Sequence, residues 1–457
     1  MNDLSLAARL AAEPYSAYSY SYPHKLAYQP LAQAQPLHAL WLPEKRDALF
    51  LYIHIPFCEM RCGFCNLFTL AKPDAALPGR YVAKVLVQMA VVAEQLGSHG
   101  IARFAMGGGT PSYLPLNLLA TLLEGAQRHF GLDLQSTPAS VEVSPETASA
   151  EKLQFLKQQG VDRISIGIQS FLEHETRQLI RPQPNRQAHA ALERIRAAGF
   201  ATLNLDLIYG IAGQTRQSFA ASLAEALRWQ PEEIYLYPLY VRPLTGLGQI
   251  EGRSGRAYPR IAVADATGED KAALYQTGRD HLLAAGYQQL SMRLFRRPGA
   301  PGKAAPVYCC QEDGMVGLGS GARSYTRALH YSTEYAVGRP STQSLIEHYC
   351  DTPIEAFASA HYGIVLDADE RRRRFVIQSL LIRPGLDLDA YRQRFEGADA
   401  LADLPLLTAL VEAGLASLDG ARLSLSDAGL ALSDSIGPAL ISDAVRQRMQ
   451  AREAQLC

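Results

Sequence analysis

Between residues 49 and 240, short apolar runs alternate with longer stretches whose apolar positions recur at helical spacing. The runs at 50–55, 101–106, 140–143, 163–168, 202–208 and 233–239 read as strands. The stretches 83–96, 115–129, 148–159, 186–198 and 217–229 read as amphipathic helices. Repeated strand–helix units imply a parallel sheet, because parallel neighbours need crossover connections. Six such units suit an open, partial barrel better than a closed eight-fold one.

The flanks follow different patterns. Residues 1–48 form a low-regularity arm rich in tyrosine, with Tyr15, Tyr18, Tyr20, Tyr22 and Tyr28. Residues 246–366 read as a mixed extension with one clear helix at 269–285, interrupted by a Pro- and Gly-rich loop at 296–303. From 367 to 457 the pattern is mainly helical with one small hairpin. Residues 405–413 read as a helix, Gly414 as its cap, Asp419-Gly420 as a tight turn and Ser426 as the next N-cap. That order is winged-helix-like. The expected architecture is therefore α/β: an arm (1–48), a partial (β/α)6 barrel (49–245), a mixed extension (246–366) and a helical C-terminal domain (367–457).

Composition adds little to this picture. The 457 residues are 48% hydrophobic and 19% charged, the balance of an ordinary globular protein long enough for two or three domains. Lys plus Arg total 44 against 45 Asp plus Glu, so no global charge points to nucleic acid or membrane. DNA binding by the winged-helix-like segment is the weaker reading, since it is not strongly basic apart from residues 371–374. No apolar stretch approaches the ~20 residues needed to span a bilayer. The opening residues lack the basic-then-apolar order of a signal peptide, which leaves the cytoplasm as the expected compartment.

Candidate chemistry concentrates at the downstream ends of the expected strands. Cys58-Glu-Met-Arg-Cys62-Gly-Phe-Cys65 follows the first and Gly107-Gly-Gly-Thr-Pro111 the second. Glu142, Gln169 and Asp206 sit at or near the ends of the next three. In β/α barrels the active site is built from that rim. A structural zinc site takes four ligands, usually in paired knuckles, and no second pair of that kind appears. A ferredoxin-type site needs a fourth nearby cysteine, and the following Asn66-Leu-Phe-Thr69 offers none. Clustered thiols without a secretory signal argue against disulfides. Three thiolates can hold three irons of a cubane cluster and leave the fourth open to a small molecule, which points to radical chemistry started from S-adenosylmethionine. Glu142 and Asp206 are carboxylates in apolar strands, where each needs a partner or a ligand.

With these motifs in place, the chain resembles the radical S-adenosylmethionine family of oxygen-independent coproporphyrinogen III oxidase and its relatives, which include heme chaperones and heme-degrading enzymes. The resemblance rests on Leu51-Tyr-Ile-His-Ile-Pro-Phe-Cys58, Gly107-Gly-Gly-Thr-Pro-Ser112, Glu142-Val-Ser-Pro145, Ile164-Ser-Ile-Gly-Ile-Gln-Ser-Phe171 and Asn204-Leu-Asp-Leu-Ile-Tyr-Gly210. It implies a 4Fe-4S cluster on Cys58, Cys62 and Cys65, with the methionine amine and carboxylate of S-adenosylmethionine on the fourth iron. It implies cofactor contacts at Tyr52, Gly108, Gly109, Thr110, Glu142 and Asp206, and at Gln169 and Arg181 for a second S-adenosylmethionine. Tyr240 and Arg323 fall at further cofactor-contact positions.

The resemblance also implies a tetrapyrrole substrate, an electron donor such as flavodoxin or ferredoxin, and oxidative decarboxylation of coproporphyrinogen III propionates as the leading reaction. A relative acting on another substrate, including by radical methyl transfer, stays open. So does a heme carrier, for which Cys309, Cys310 and His330 are the candidate axial ligands. Two departures stand out. The oxidase carries a fourth cysteine two residues after the third, where this chain has Leu67. Heme chaperones carry His-Asn followed by Tyr-Trp ahead of the later glycine loop, where this chain has Tyr308-Cys-Cys-Gln311.

Overall fold

The computed structural model describes residues 5–19, 21–254, 270–301 and 314–456, without the side chains of 251–254 and 454–456. Tyr20, the start of the expected helix at 269, Tyr308–Gln311 with its two cysteines, and Cys457 lie outside the described residues. The chain divides into two compact units. One comprises Met1–Tyr28, Leu282–Arg296 and Val365–Cys457; the other comprises Gln29–His281 and Arg297–Ile364.

The larger unit carries the six expected strands, each within two residues of its predicted ends. They are β1 (Leu49–Ile55), β2 (Ile101–Gly108), β3 (Ala139–Val143), β4 (Arg163–Gln169), β5 (Thr202–Tyr209) and β6 (Glu233–Pro238). Every consecutive pair is parallel and adjacent. The crossover helices are α1 (Leu77–Leu96), α2 (Leu116–Phe130), α3 (Ala150–Gln159), α4 (Asn185–Ala198) and α5 (Arg216–Arg228). Each drives at least one fully covered side chain into the core: Val85, Leu122, Leu156, Leu192 and Leu223 are all 0% exposed. Each such burial contributes about 1.5–3 kcal/mol. Ser149 caps α3 by accepting from the Lys152 amide, and Thr215 and Ser218 close a reciprocal capping box on α5.

On its other edge β1 continues into β7 (Met315–Leu318), parallel to it, and then into antiparallel β8 (Arg323–Tyr325) and β9 (Leu329–Ser332). Strand β10 (Ser359–Val365) and the strand Gln29–Pro36 complete that side. The mixed extension thus lengthens the barrel sheet.

In the smaller unit, Leu386–Asp387, Arg422–Leu425 and Ala416–Asp419 form a three-stranded antiparallel sheet in that order among short helices. Ser426 caps the next helix through the Gly429 amide, as read from the sequence, whereas the hairpin turn is Gly420-Ala421, one residue later than expected. Asp419 pairs with Arg422 instead of turning. Tyr22 is 1% exposed; its hydroxyl bonds Glu370, accepts from the Ser442 amide at 3.3 Å, and its carbonyl accepts from Arg374 at 2.6 Å. Arg293 lies over the Tyr18 ring at 4.2 Å and pairs with buried Asp434. Tyr22 is thus buried within its own unit, whereas Tyr18, 43% exposed, is covered in part where Arg293 meets its ring. Among the described residues no helix is long and apolar enough to cross a membrane.

Candidate active site

The cysteine loop is clamped at its base. Phe57–Cys58 pairs in parallel with Leu70–Ala71, while the Leu70 amide donates to Pro56 O at 2.6 Å and the Lys72 amide to Cys58 O at 3.0 Å. Between these ends, each thiol meets one polar partner. Thr110 Oγ1 donates to Cys58 Sγ at 3.5 Å, Arg181 Nη1 to Cys62 Sγ at 3.0 Å, and Thr69 Oγ1 lies 3.8 Å from Cys65 Sγ. Burial pushes the Cys58 and Cys62 thiols up, opposed at Cys58 by the Thr110 bond and at Cys62 by the Arg181 charge. Thiolates held there call for a positive partner. Among the described residues no three His, Cys, Asp or Glu side chains converge on a single metal ion. A cubane asks for something else, since each of its irons takes its own thiolate.

The glycine loop after β2 seats directly against this cysteine loop. The Gly109 amide donates to Ile55 O and the Thr110 amide to Phe57 O, both at 2.8 Å. A Cβ on Gly109 would stand 2.7 Å from Phe57 O and 2.9 Å from Cys58 Sγ. Gly108 has φ +110°, and a Cβ there would meet the His54 ring at 2.4 Å. The protein itself fills the space these residues leave, a need for small residues beyond the approach of a ligand. His54 Nε2 faces the Phe68 carbonyl at 3.0 Å and must donate to it, so Nδ1 accepts from the Tyr52 hydroxyl at 3.2 Å.

The barrel interior is layered with polar groups. At the lower level Arg163 donates to Ser140 Oγ at 2.8 Å and pairs with Glu233 at 2.9 Å. Above it Asn204 Nδ2 donates to Ser165 Oγ at 2.8 Å and to Asp206 Oδ1 at 2.7 Å. Asn204 is 1% exposed and its Oδ1 has no hydrogen-bond partner in the protein. That orphaned acceptor suits a donor from a bound molecule.

Burial raises the Asp206 carboxyl to about 7, against the Asn204 bond and the Arg163 charge; Glu142 and Glu233 add to the rise. Glu142 accepts from the Gly108 amide at 3.1 Å, and burial raises its carboxyl too. By surface area Glu142 is exposed, yet protein surrounds it closely enough to disfavour its charge. Thiol-bearing loop, glycine loop, orphaned acceptor and the Glu142 and Asp206 carboxyls together fit a cluster with a polar, hydroxyl-bearing cofactor beside it.

The structure gathers most of the sequence-predicted residues at this rim. Gln169 ends β4 with φ +68°, and Arg181 reaches Cys62 from the segment after it. Tyr240 follows β6, with the Arg242 guanidinium 5.0 Å from its ring centre. Its neighbours Leu239 and Val241 pack in one apolar cluster with Phe64 of the cysteine loop. Tyr52 sits lower, at mid-strand, where it pairs with Gly317, itself pressed against the Arg323 backbone. Tyr335, whose hydroxyl bonds Asn66 O, feels both Cys65 and Arg323. Sequence reasoning missed His54, Arg163 and Asn204. Asn204 was findable: two residues before Asp206 on a strand, it must share its face.

The sequence profile of the Radical SAM superfamily matches residues 52–226, and that of the HemN C-terminal domain matches 366–432. A heme chaperone HemW of Mycobacterium tuberculosis is 30% identical over 395 residues, covering 84% of this chain and 93% of that protein. The chain belongs to the radical S-adenosylmethionine family of heme chaperones and oxygen-independent coproporphyrinogen III oxidases. The family's cofactors are a 4Fe-4S cluster and S-adenosylmethionine, and these are the cofactors of this chain. Oxygen-independent coproporphyrinogen III oxidase of Pseudomonas aeruginosa is 27% identical, covering 91% of each chain. The solved structure of coproporphyrinogen III oxidase from Escherichia coli has the same fold, with a TM-score of 0.75 at 24% identity over 93% of this chain and 96% of that one.

Proposed function

We propose that this chain is a radical S-adenosylmethionine enzyme acting on a tetrapyrrole, with oxidative decarboxylation of coproporphyrinogen III propionates as its leading reaction. The observation that carries the reading is the convergence of three partnered thiols with the carboxylates of Glu142 and Asp206 in one barrel. When bound and reduced, the cluster and S-adenosylmethionine supply a 5′-deoxyadenosyl radical able to abstract hydrogen from an organic substrate.

In this reading Cys58, Cys62 and Cys65 ligate the cluster. Gly108, Gly109 and Thr110 present backbone to the cofactor, and Glu142 and Asp206 accept from its ribose hydroxyls or methionine amine. Gln169, Arg181, Tyr240, Tyr52 and Arg323 complete the cofactor surround. A small electron-transfer protein of the flavodoxin or ferredoxin kind supplies the electron.

A second reading, a heme carrier, is favoured by the relative named as a heme chaperone. Of its candidate axial ligands, Cys309 and Cys310 lie outside the described residues, and His330 is 0% exposed with its ring edge-on to Tyr325 at 4.6 Å. That placement disfavours His330 as a heme ligand. Anaerobic reconstitution with reductant tests the proposal. Formation of 5′-deoxyadenosine that rises on adding coproporphyrinogen III supports the enzyme. Stoichiometric heme uptake without such stimulation supports the carrier and defeats the first reading.

A further inference from the structure

The three cluster-loop thiols have unequal partners. Two face threonine hydroxyls at 3.5 and 3.8 Å; Cys62 alone receives a cationic donor, at 3.0 Å. The guanidinium making that bond is fixed on all sides. Arg181 Nη2 donates to Gly167 O at 3.0 Å and Nε to Gln183 Oε1 at 3.3 Å, while Gln183 is itself 5% exposed and donates to Ile168 O at 3.4 Å.

The backbone is bent to deliver it. Ile180, the residue before Arg181, is β-branched yet sits at φ +50°, a conformation that such residues rarely adopt. Gly63, between Cys62 and Phe64, donates its amide to Leu179 O at 2.9 Å. A Cβ on Gly63 would stand 2.7 Å from Ile180 Cδ1, so the cysteine loop and the Ile180 bend interlock. Strain of this kind persists where surrounding structure over-determines it, characteristically at functional sites.

We propose that Arg181 is a positioning residue that tunes the cluster through Cys62, raising its reduction potential by a charge-assisted hydrogen bond to the ligating sulfur. The proposal rests on the three-cysteine cluster reading above and deepens it. Reduction by one external electron adds negative charge that the iron shares with its thiolates. A cation bonded to one thiolate stabilises that reduced state more than the oxidised one. The two threonine hydroxyls, neutral and farther away, act in the same sense but more weakly.

The test is an EPR-monitored potentiometric titration of the reconstituted full-length protein as wild type, R181Q, R181K and T110V. The expected result is a midpoint shifted to more negative potential in R181Q, a smaller negative shift in T110V, and partial recovery in R181K, which keeps a cation and a donor. Iron content equal to wild type shows that the shift is not cluster loss. A wild-type midpoint in fully loaded R181Q overturns the proposal, as does a change confined to S-adenosylmethionine affinity. Loss of the cluster in both Arg181 variants also overturns it, because the residue then only holds the loop together. Undiminished iron in C62A is a different outcome: it sinks the three-cysteine reading, and the proposal with it.

Discussion

Asn204 donates one hydrogen bond to Ser165 of the neighbouring strand β4 and one to Asp206 of its own strand β5 from the same amide nitrogen, at 2.8 and 2.7 Å. It therefore holds the Asp206 carboxyl in a site where burial raises its pKa to about 7. In the unfolded chain an Asp releases its proton near pH 4. Between those values the folded protein keeps a proton that the unfolded chain has lost, so stability falls as pH rises across the interval and stays low above it. Asp206→Asn removes this dependence. Thermal melts without S-adenosylmethionine should show the variant's advantage near zero at about pH 4, growing to about pH 7 and then level. An advantage that shrinks with rising pH would contradict the assignment.

Asp206→Asn and Glu142→Gln should each weaken S-adenosylmethionine binding while the cluster's absorbance persists. Each loses a charged acceptor worth about 1.5–3 kcal/mol. That is roughly ten- to hundredfold in affinity. Equilibrium binding measured anaerobically on the reconstituted protein checks this; unchanged affinity in both would make the carboxylates structural.

Ala at Cys58, Cys62 or Cys65 should abolish the brown cluster absorbance and all S-adenosylmethionine cleavage. Cys350, buried in the same unit but on the helix Arg339–Asp351 instead of the cysteine loop, serves as the control, and its Ala variant should keep full iron. Iron analysis after reconstitution distinguishes the two.

Gly109→Ala places a methyl against Phe57 O, Ile55 O and Cys58 Sγ at 2.7–2.9 Å, two of them unyielding backbone. Overpacking of this kind costs about 1–3 kcal/mol. A lower melting temperature and reduced iron loading are expected together, because the clash falls on the strand end and the first cysteine at once. A normal melt with normal iron would show that the two loops are less tightly seated than this.

In the smaller unit, Arg293 and Asp434 form an ion pair with side chains 2% and 1% exposed. Asp434→Ala strands a buried cation and should cost about 3–5 kcal/mol in denaturant unfolding, whereas replacing both partners by apolar residues of similar volume should cost far less.

Alternation and helical spacing made the barrel legible. Short apolar runs, and helices with one buried stripe, located all six strands and five crossovers to within a few residues, apart from α1, which begins six residues earlier than read. The rim residues were legible because they interrupt those patterns. Other features depend on pairings across the chain. Arg163 meets Glu233 seventy residues away, and nothing near either residue announces the other. The approach of Arg181 to Cys62 depends on a left-handed bend at Ile180 that its residue type argues against. The partners of Tyr18 and Tyr22 come from beyond residue 280, so the tyrosine-rich start could not declare from sequence what it packs on.

The parallel pairing of Phe57–Cys58 with Leu70–Ala71 closes the cysteine segment into a short loop whose two ends are already tied to the sheet. Closing so short a loop costs little further chain entropy once the barrel exists. The three cysteines are thereby offered on a loop of fixed span, and ordering that a small metal domain must take from its ion is here supplied in part by backbone bonds.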